Sequence, residues 1–217
     1  MSNPLLIIGN KNYSSWSLRA WLMLKHAGLE FDEARIPLRL EGAREKLAAF
    51  SPAGKVPALR DGDLLIWDSL AIAEYVAESF PALWPARREA RAHARSICAE
   101  MHSGFTSLRR LMPMNIRASG REVEMTPELE ADIKRIKIIW RELRTEYADQ
   151  GSWLFGPYSM ADAMYAPVAF RFMTYGVSEE GVVDKYVQTV ARDPLIQPWI
   201  EASKLEREVL AASETGT

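Results

Sequence analysis

Cysteine is nearly missing from this chain: Cys98 is the only one in 217 residues. An internal disulfide framework and a Cys-x-x-Cys redox or zinc pair are therefore excluded. No excess of either charge exists, since 27 Lys and Arg stand against 29 Asp and Glu. A near-neutral chain gives no electrostatic reason to expect nucleic acid or an anionic membrane as its partner. Long apolar runs are also lacking. The N-terminal run Leu5-Leu6-Ile7-Ile8 is too short for a signal-peptide core or a membrane span, so the expected compartment is the cytoplasm. Neither a Gly-x-Ser-x-Gly elbow, a Gly-x-Gly-x-x-Gly loop nor a phosphate loop occurs, which leaves hydrolase and nucleotide readings unsupported. His93 and His102 fall on opposite faces of one helix at about 100° per residue, and Cys98 with His102 makes only two ligands, so no metal is expected. What is present is ordinary for a folded protein: 48% hydrophobic and 26% charged residues, enough for one large domain or two small ones.

The first eighty residues alternate between strand and helix patterns. Leu5–Ile8 reads as a buried strand closed by Gly9-Asn10. Leu18, Trp21, Leu22 and Leu24 recur at helical spacing over residues 17–27, with Gly28 where a C-terminal cap belongs. A second strand is expected over 31–36, a weak helix over 43–50, and a hairpin over 58–60 and 64–67 with a three-residue loop, Asp61-Gly62-Asp63. A third helix runs from Ser69 to Phe80. The order βαβαββα suits a small α/β layer. After the proline-rich segment Phe80–Pro85 the strand signals stop. Helices are expected over 87–111 as one long element, from Thr126-Pro127-Glu128 to Tyr147, and over 159–174, 182–192 and 198–210. The predicted division is 1–82 for the α/β unit and 83–217 for an all-helical bundle.

Four short segments could carry chemistry. Tyr13-Ser14-Ser15-Trp16-Ser17 puts hydroxyls at a helix N-terminus, where free N–H groups and the dipole favour an anion such as a thiolate; serines there also simply cap the helix. Lys55-Val56-Pro57 opens the hairpin; the proline reads first as a trans strand start, with a cis form that turns the Val56 backbone toward an extended peptide as the alternative. Asp68-Ser69 at the next helix start could take an ammonium and a carboxylate, or be a cap. Ser159 and Asp162 follow capping-box spacing and read as structural.

Together and in this order, these segments resemble the cytosolic glutathione transferase family over nearly the whole chain. The resemblance implies a thioredoxin-like N-terminal domain that binds glutathione and a helical domain that supplies most of the second-substrate pocket. Ser14-Ser15-Trp16-Ser17-Leu18-Arg19 looks like the serine motif of the zeta-like and tau-like branches, which makes Ser14 the candidate that activates the glutathione sulfur and Ser15 the near runner-up. Val56-Pro57 matches the family's cis-proline pair, with Lys55 beside it at the glycine end, and Asp68-Ser69 matches the pair that holds the γ-glutamyl group. Serine cannot form a mixed disulfide, which argues against disulfide reduction. Zeta-like isomerases tend to have Cys at the position of Trp16, so conjugation of glutathione to an electrophile ranks ahead of maleylacetoacetate isomerisation. A non-catalytic glutathione-binding module is the third reading. Met101, Phe105, Leu108, Met112, Met114 and Asn115 lie where the family builds its second pocket, although core packing explains them first. The resemblance also implies a homodimer.

Overall fold

The computed structural model describes residues 3–38, 40 and 42–216. Its N-terminal part is a four-stranded sheet of β1 (Leu5–Ile8), β2 (Asp32–Arg35), β3 (Ala58–Asp61) and β4 (Leu64–Trp67), in the order β2-β1-β3-β4. β1 runs parallel to β2 (Leu5 opposite Asp32) and antiparallel to β3 (Ile7 opposite Ala58). The unbroken apolar sequence of β1 follows from its interior position, with neighbours on both edges and packing on both faces. Successive side chains point to opposite faces. Leu6 and Ile8 enter the main core, whereas Ile7 joins a smaller cluster with Ile36, Leu47 and Ala58.

Helices α1 (Ser15–His26), α2 (Ala43–Phe50) and α3 (Ser69–Ser79) complete the α/β unit. α1 begins two residues ahead of the expected start because Ser14 is its cap, and Gly28 takes a φ of 72° just past its end. The hairpin loop is one residue shorter than expected: Asp61 pairs with Leu64, leaving Gly62-Asp63, and Gly62 takes a φ of 57°. A single 3₁₀ turn, Pro81–Leu83, leads into the helical part.

That part holds α4 (Arg88–Ser103), α5 (Thr106–Leu111), α6 (Pro127–Glu146), α7 (Met160–Thr174), α8 (Val182–Arg192) and α9 (Gln197–Leu205). Two expectations are corrected here. The long helix over 87–111 is broken into α4 and α5 at Gly104-Phe105, where Phe105 adopts a left-handed φ of 55° and a Cβ on Gly104 would stand 2.8 Å from the Glu100 carbonyl oxygen. The last helix stops at Leu205 instead of reaching Leu210, and residues 206–210 run as non-helical backbone ahead of a 3₁₀ turn at Ala211–Ser213. α1 packs on both α3 and α7, so one apolar core runs from Leu6 through Trp21 to Trp140 and Trp199. No described helix is long and apolar enough to cross a membrane.

Candidate active site

The loop after β1 brings Tyr13, Ser14 and Ser15 to the N-terminus of α1, all three nearly buried and all lining a cavity of about 780 Å³. Their hydroxyls are not equivalent. Ser14 Oγ accepts from the Ser17 N–H at 3.4 Å, and its own proton goes to Ser17 Oγ at 2.8 Å. Ser15 Oγ accepts from Arg171 Nη2 at 3.3 Å, which leaves its proton without a protein acceptor among the described residues. The Tyr13 hydroxyl is committed elsewhere: it donates to Glu214 at 2.5 Å and accepts from Arg117 at 2.8 Å. Burial, followed by Glu214, pushes its pKa above the usual phenol value.

A second cavity of about 540 Å³ adjoins the first, and Trp16, Lys55 and Val56 line both. The Val56–Pro57 bond is cis, which corrects the trans reading that the dipeptide alone favours. Asp68 caps α3 by accepting the Leu70 N–H at 2.8 Å from a left-handed conformation (φ 76°). His102 of α4 reaches across to Asp68, with Nε2 3.3 Å from Oδ2. Ser69 is buried at the same helix start, lines the cavity, and its Oγ has no partner among the described residues. A buried hydroxyl without a partner at the N-terminus of a helix suits the carboxylate of a ligand. The residues expected from the sequence thus fall into one groove, with Ser14 and Ser15 at one end and Asp68 and Ser69 at the other.

Of the six residues proposed for a second pocket, Met101, Phe105, Leu108 and Met112 belong to the core, as does Met114, which alone among the six also lines the larger cavity. Asn115 is tied to Asn12, whose amide donates to it at 2.8 Å. The polar wall was missed. Arg109, Arg110 and Arg171 line the larger cavity together with Leu210, Ala212 and Ser213 of the C-terminal segment. Arg171 is 4% exposed, and its Nε donates to the Met112 carbonyl at 2.8 Å. Burial, with Arg109 beside it, pushes the Arg171 pKa down to about 9. Trp16 lies within cation–π distance of Arg19 at 4.3 Å and of Arg109 at 4.7 Å. One signal for Arg171 was in the sequence: between Ala163 and Thr174 it is the sole charged residue on an otherwise apolar helix. Cys98 is buried, its thiol held well above the usual range by desolvation. Among the described residues no cluster of three His, Cys, Asp or Glu is placed to hold a metal.

A thioredoxin-like sheet with a cis-proline just ahead of β3, followed by a helical bundle, is the architecture of the glutathione transferase fold. Residues 13–79 match the family model for the glutathione S-transferase N-terminal domain, and residues 126–202 match that for the C-terminal domain. The chain belongs to the glutathione S-transferase family. It is 36% identical over 120 residues to a probable maleylacetoacetate isomerase of Caenorhabditis elegans, covering 54% of this chain and 55% of that one. It is 27% identical over 205 residues to glutathione S-transferase GstA of Escherichia coli O157:H7, covering 88% and 95% of the two chains. Among solved structures, a glutathione transferase homologue from Burkholderia with bound glutathione superimposes with a TM-score of 0.70 at 24% identity, covering 93% of this chain and 97% of that one. The chain therefore spans about half the length of the first of these relatives and nearly all of the other two.

Proposed function

We propose that the protein is a glutathione transferase that holds the glutathione thiolate at the N-terminus of α1 and joins it to a small electrophile. One observation carries this reading: hydroxyls at a helix start share a groove with a cis-proline and with an unpartnered serine at a second helix start. Ser69 and Asp68 would take the γ-glutamyl carboxylate and ammonium, Val56 the cysteinyl backbone, and Lys55 the glycine carboxylate. The sulfur then falls beside Ser14 and Ser15.

A free thiol titrates near ~8.5, and each unit of depression needs about 1.4 kcal/mol of preference for the anion. A hydrogen bond to a charged acceptor contributes about 1.5–3 kcal/mol, and the helix terminus about 0.3–1 kcal/mol. Those two contributions suffice to ionise much of the bound thiol at neutral pH. Ser15 has its proton free for the sulfur in this arrangement, with Arg171 polarising the same oxygen. Ser14 becomes the donor when the Ser14–Ser17 pair reverses its proton order, which moves no heavy atom. The protein supplies position and charge stabilisation, while the nucleophile is glutathione's own. In the transfer step a sulfur lone pair forms the S–C bond, and the displaced electron pair leaves with the leaving group or on the acceptor carbon, which water protonates.

The test is the ultraviolet absorbance of the thiolate on adding glutathione, followed by turnover of a model electrophile. Binding without thiolate absorbance would instead fit a non-catalytic glutathione-binding module. The name of the Caenorhabditis elegans relative supports a second reading, glutathione-dependent cis–trans isomerisation, in which glutathione adds and then leaves. Consumption of glutathione separates the two, because an isomerase returns it. We place the enzyme in the cytoplasm as a homodimer with a detoxifying role, domain boundary at 82/83, on the strength of the family it belongs to.

A further inference from the structure

A third cavity, of about 340 Å³, shares no wall residue with either cavity of the active site. It opens where the segment leading into α4 meets the end of α6 and the turn ahead of α7, and its wall includes Trp84, Pro85, Tyr147, Phe155, Pro157 and Tyr158. Its size falls at the lower end of the ~300–1,000 Å³ of small-molecule sites. Two polar groups of this wall, Trp84 Nε1 and the Tyr158 hydroxyl, are buried and have no partner among the described residues. Trp84 is 5% exposed, and an indole N–H can only donate. Burial, followed by Asp162 and Asp193, holds the Tyr158 phenol well above its usual pKa, so its proton stays in place at neutral pH. No described residue of the wall carries a carboxylate, and Ser159 spends its hydroxyl proton on Asp162 at 3.0 Å. Buried donors are satisfied almost without exception in folded proteins. Two of them in one aromatic wall mark a position for an acceptor that the chain does not supply.

We propose that this cavity binds a small uncharged aromatic carbonyl compound, whose oxygen accepts from Trp84 Nε1 and the Tyr158 hydroxyl while its ring packs on Tyr147 and Phe155. A carbonyl oxygen has two lone pairs and so serves both donors. The aromatic wall is set before any ligand arrives. Tyr158 stacks on His26, with centroids 3.3 Å apart and planes 6° from parallel, and meets Trp153 edge-on at 5.0 Å. Phe155 is held by Tyr147 at 5.3 Å and by His93 at 5.9 Å. Rings fixed in this way give a flat ligand its contact area at little entropic cost. The surroundings also select against an anion. Asp162 and Asp193 are the charges that act on Tyr158, and they repel a carboxylate placed at its hydroxyl. Arg87, the cation of the wall, is exposed and therefore screened. The site does not depend on the glutathione reading, and its ligand and glutathione are held at the same time.

Equilibrium dialysis on the full chain tests this with three probes: 2-acetonaphthone, 2-ethylnaphthalene, which has nearly the same shape and no acceptor, and the anion 2-naphthoate. The ketone is expected to bind more tightly than the hydrocarbon by about two- to tenfold for each donor, the range of a neutral hydrogen bond, and more tightly than the acid. The ketone-to-hydrocarbon ratio should fall about two- to tenfold in Trp84→Phe and again in Tyr158→Phe. The second variant should keep its thermal midpoint, because it gives up no hydrogen bond to a described residue. Saturating S-hexylglutathione should leave the affinity for the ketone unchanged. Equal affinities for ketone and hydrocarbon would show that solvent satisfies the two donors and would overturn the proposal. Tighter binding of 2-naphthoate would overturn it in favour of an anion site. A ratio that neither substitution changes, or displacement of the ketone by S-hexylglutathione, would place the compound in the active-site cavity and would sink the proposal as well.

Discussion

Ser15 Oγ lies 3.3 Å from Arg171 Nη2, although 156 positions separate the two residues along the chain. The contact joins the first helix of the sheet domain to α7, and it assigns different protons to two adjacent serines. Ser14 is bound into the cap of α1 through Ser17, whereas Ser15 retains its hydrogen.

Replacing each serine by alanine should therefore give different results. Ser15→Ala is expected to raise the pKa of bound glutathione by about one unit, equivalent to about 1.4 kcal/mol, and to lower kcat about tenfold with a smaller change in KM. Ser14→Ala should cost about 1 kcal/mol of stability through the lost cap and shift the thiol pKa less. Titration of thiolate absorbance in both variants measures this directly. The opposite ranking would assign the sulfur to Ser14.

Ser69 makes the complementary case. Its hydroxyl is buried and has no partner among the described residues, so its removal takes away none of the hydrogen bonds they form. Ser69→Ala is expected to leave the thermal midpoint unchanged or slightly raised, and to weaken glutathione binding by about tenfold, the equivalent of one hydrogen bond to a charged group. A variant that melts early and binds normally would make Ser69 a purely structural residue.

These cases show which parts of the molecule could be read in the chain. β1, α2, β4 and α8 fall on the residues expected, because each is marked by a local pattern or by a breaker at its end. Ser14, Ser15, Val56 and Asp68-Ser69 could be singled out as candidates because each lies next to the start of a strand or helix and carries a polar or turn signal. The arginine wall was not found, because nothing near Arg109 or Arg171 in the chain says that they meet Ser15 and Trp16 across the domains. The break at Gly104-Phe105 was hidden for a related reason. The left-handed φ of Phe105 is compensated by burying its ring in the core, a tertiary gain without a local signature. The early end of α9 depends likewise on Glu206, whose partners are nearly two hundred residues away.

Glu206 fixes the C-terminal segment to the active-site loop. Its carboxylate accepts the Lys11 N–H at 2.6 Å, the Asn12 N–H at 3.0 Å and Arg35 Nη1 at 3.2 Å. Arg117 then holds the following backbone through the carbonyls of Glu206 and Glu208. Leu210, Ala212 and Ser213, further along, form part of the cavity wall. Glu206→Gln turns an amide NH₂ toward one of these donors and is expected to cost about 1–3 kcal/mol, the usual penalty of an unsatisfied buried group. Hydrogen exchange should quicken over residues 207–216, and KM for the second substrate should rise more than KM for glutathione. Unchanged exchange in that segment would show that Arg117, together with Arg121, which donates to Glu214 at 2.8 Å and to the Gly216 carbonyl at 2.6 Å, suffices to hold it.

Asp162 offers a test against pH. Its carboxylate is fully buried and accepts from the Leu154 N–H at 2.9 Å, the Ser159 N–H at 2.8 Å, the Ser159 hydroxyl at 3.0 Å and the Tyr186 hydroxyl at 3.0 Å. Desolvation nevertheless outweighs these donors and raises its pKa to about 6 from an ordinary 3.8. Between those two values the folded chain holds a proton that the unfolded chain has released. The stabilisation that this proton gives is complete below about pH 4 and is lost as the pH rises through about 6. Asp162→Asn cannot titrate, so the stability of the wild type minus that of the variant should decrease across this window and level off above it, as read from urea midpoints at each pH. Asp162→Ala should cost about 2–5 kcal/mol at neutral pH, since two buried amides lose their acceptor. That exceeds the ~1–2 kcal/mol of a simple cap, because Leu154 and Tyr186 depend on the same carboxylate. A wild-type-minus-Asn difference that grows with pH would mean that the four donors, rather than burial, set the charge state of Asp162.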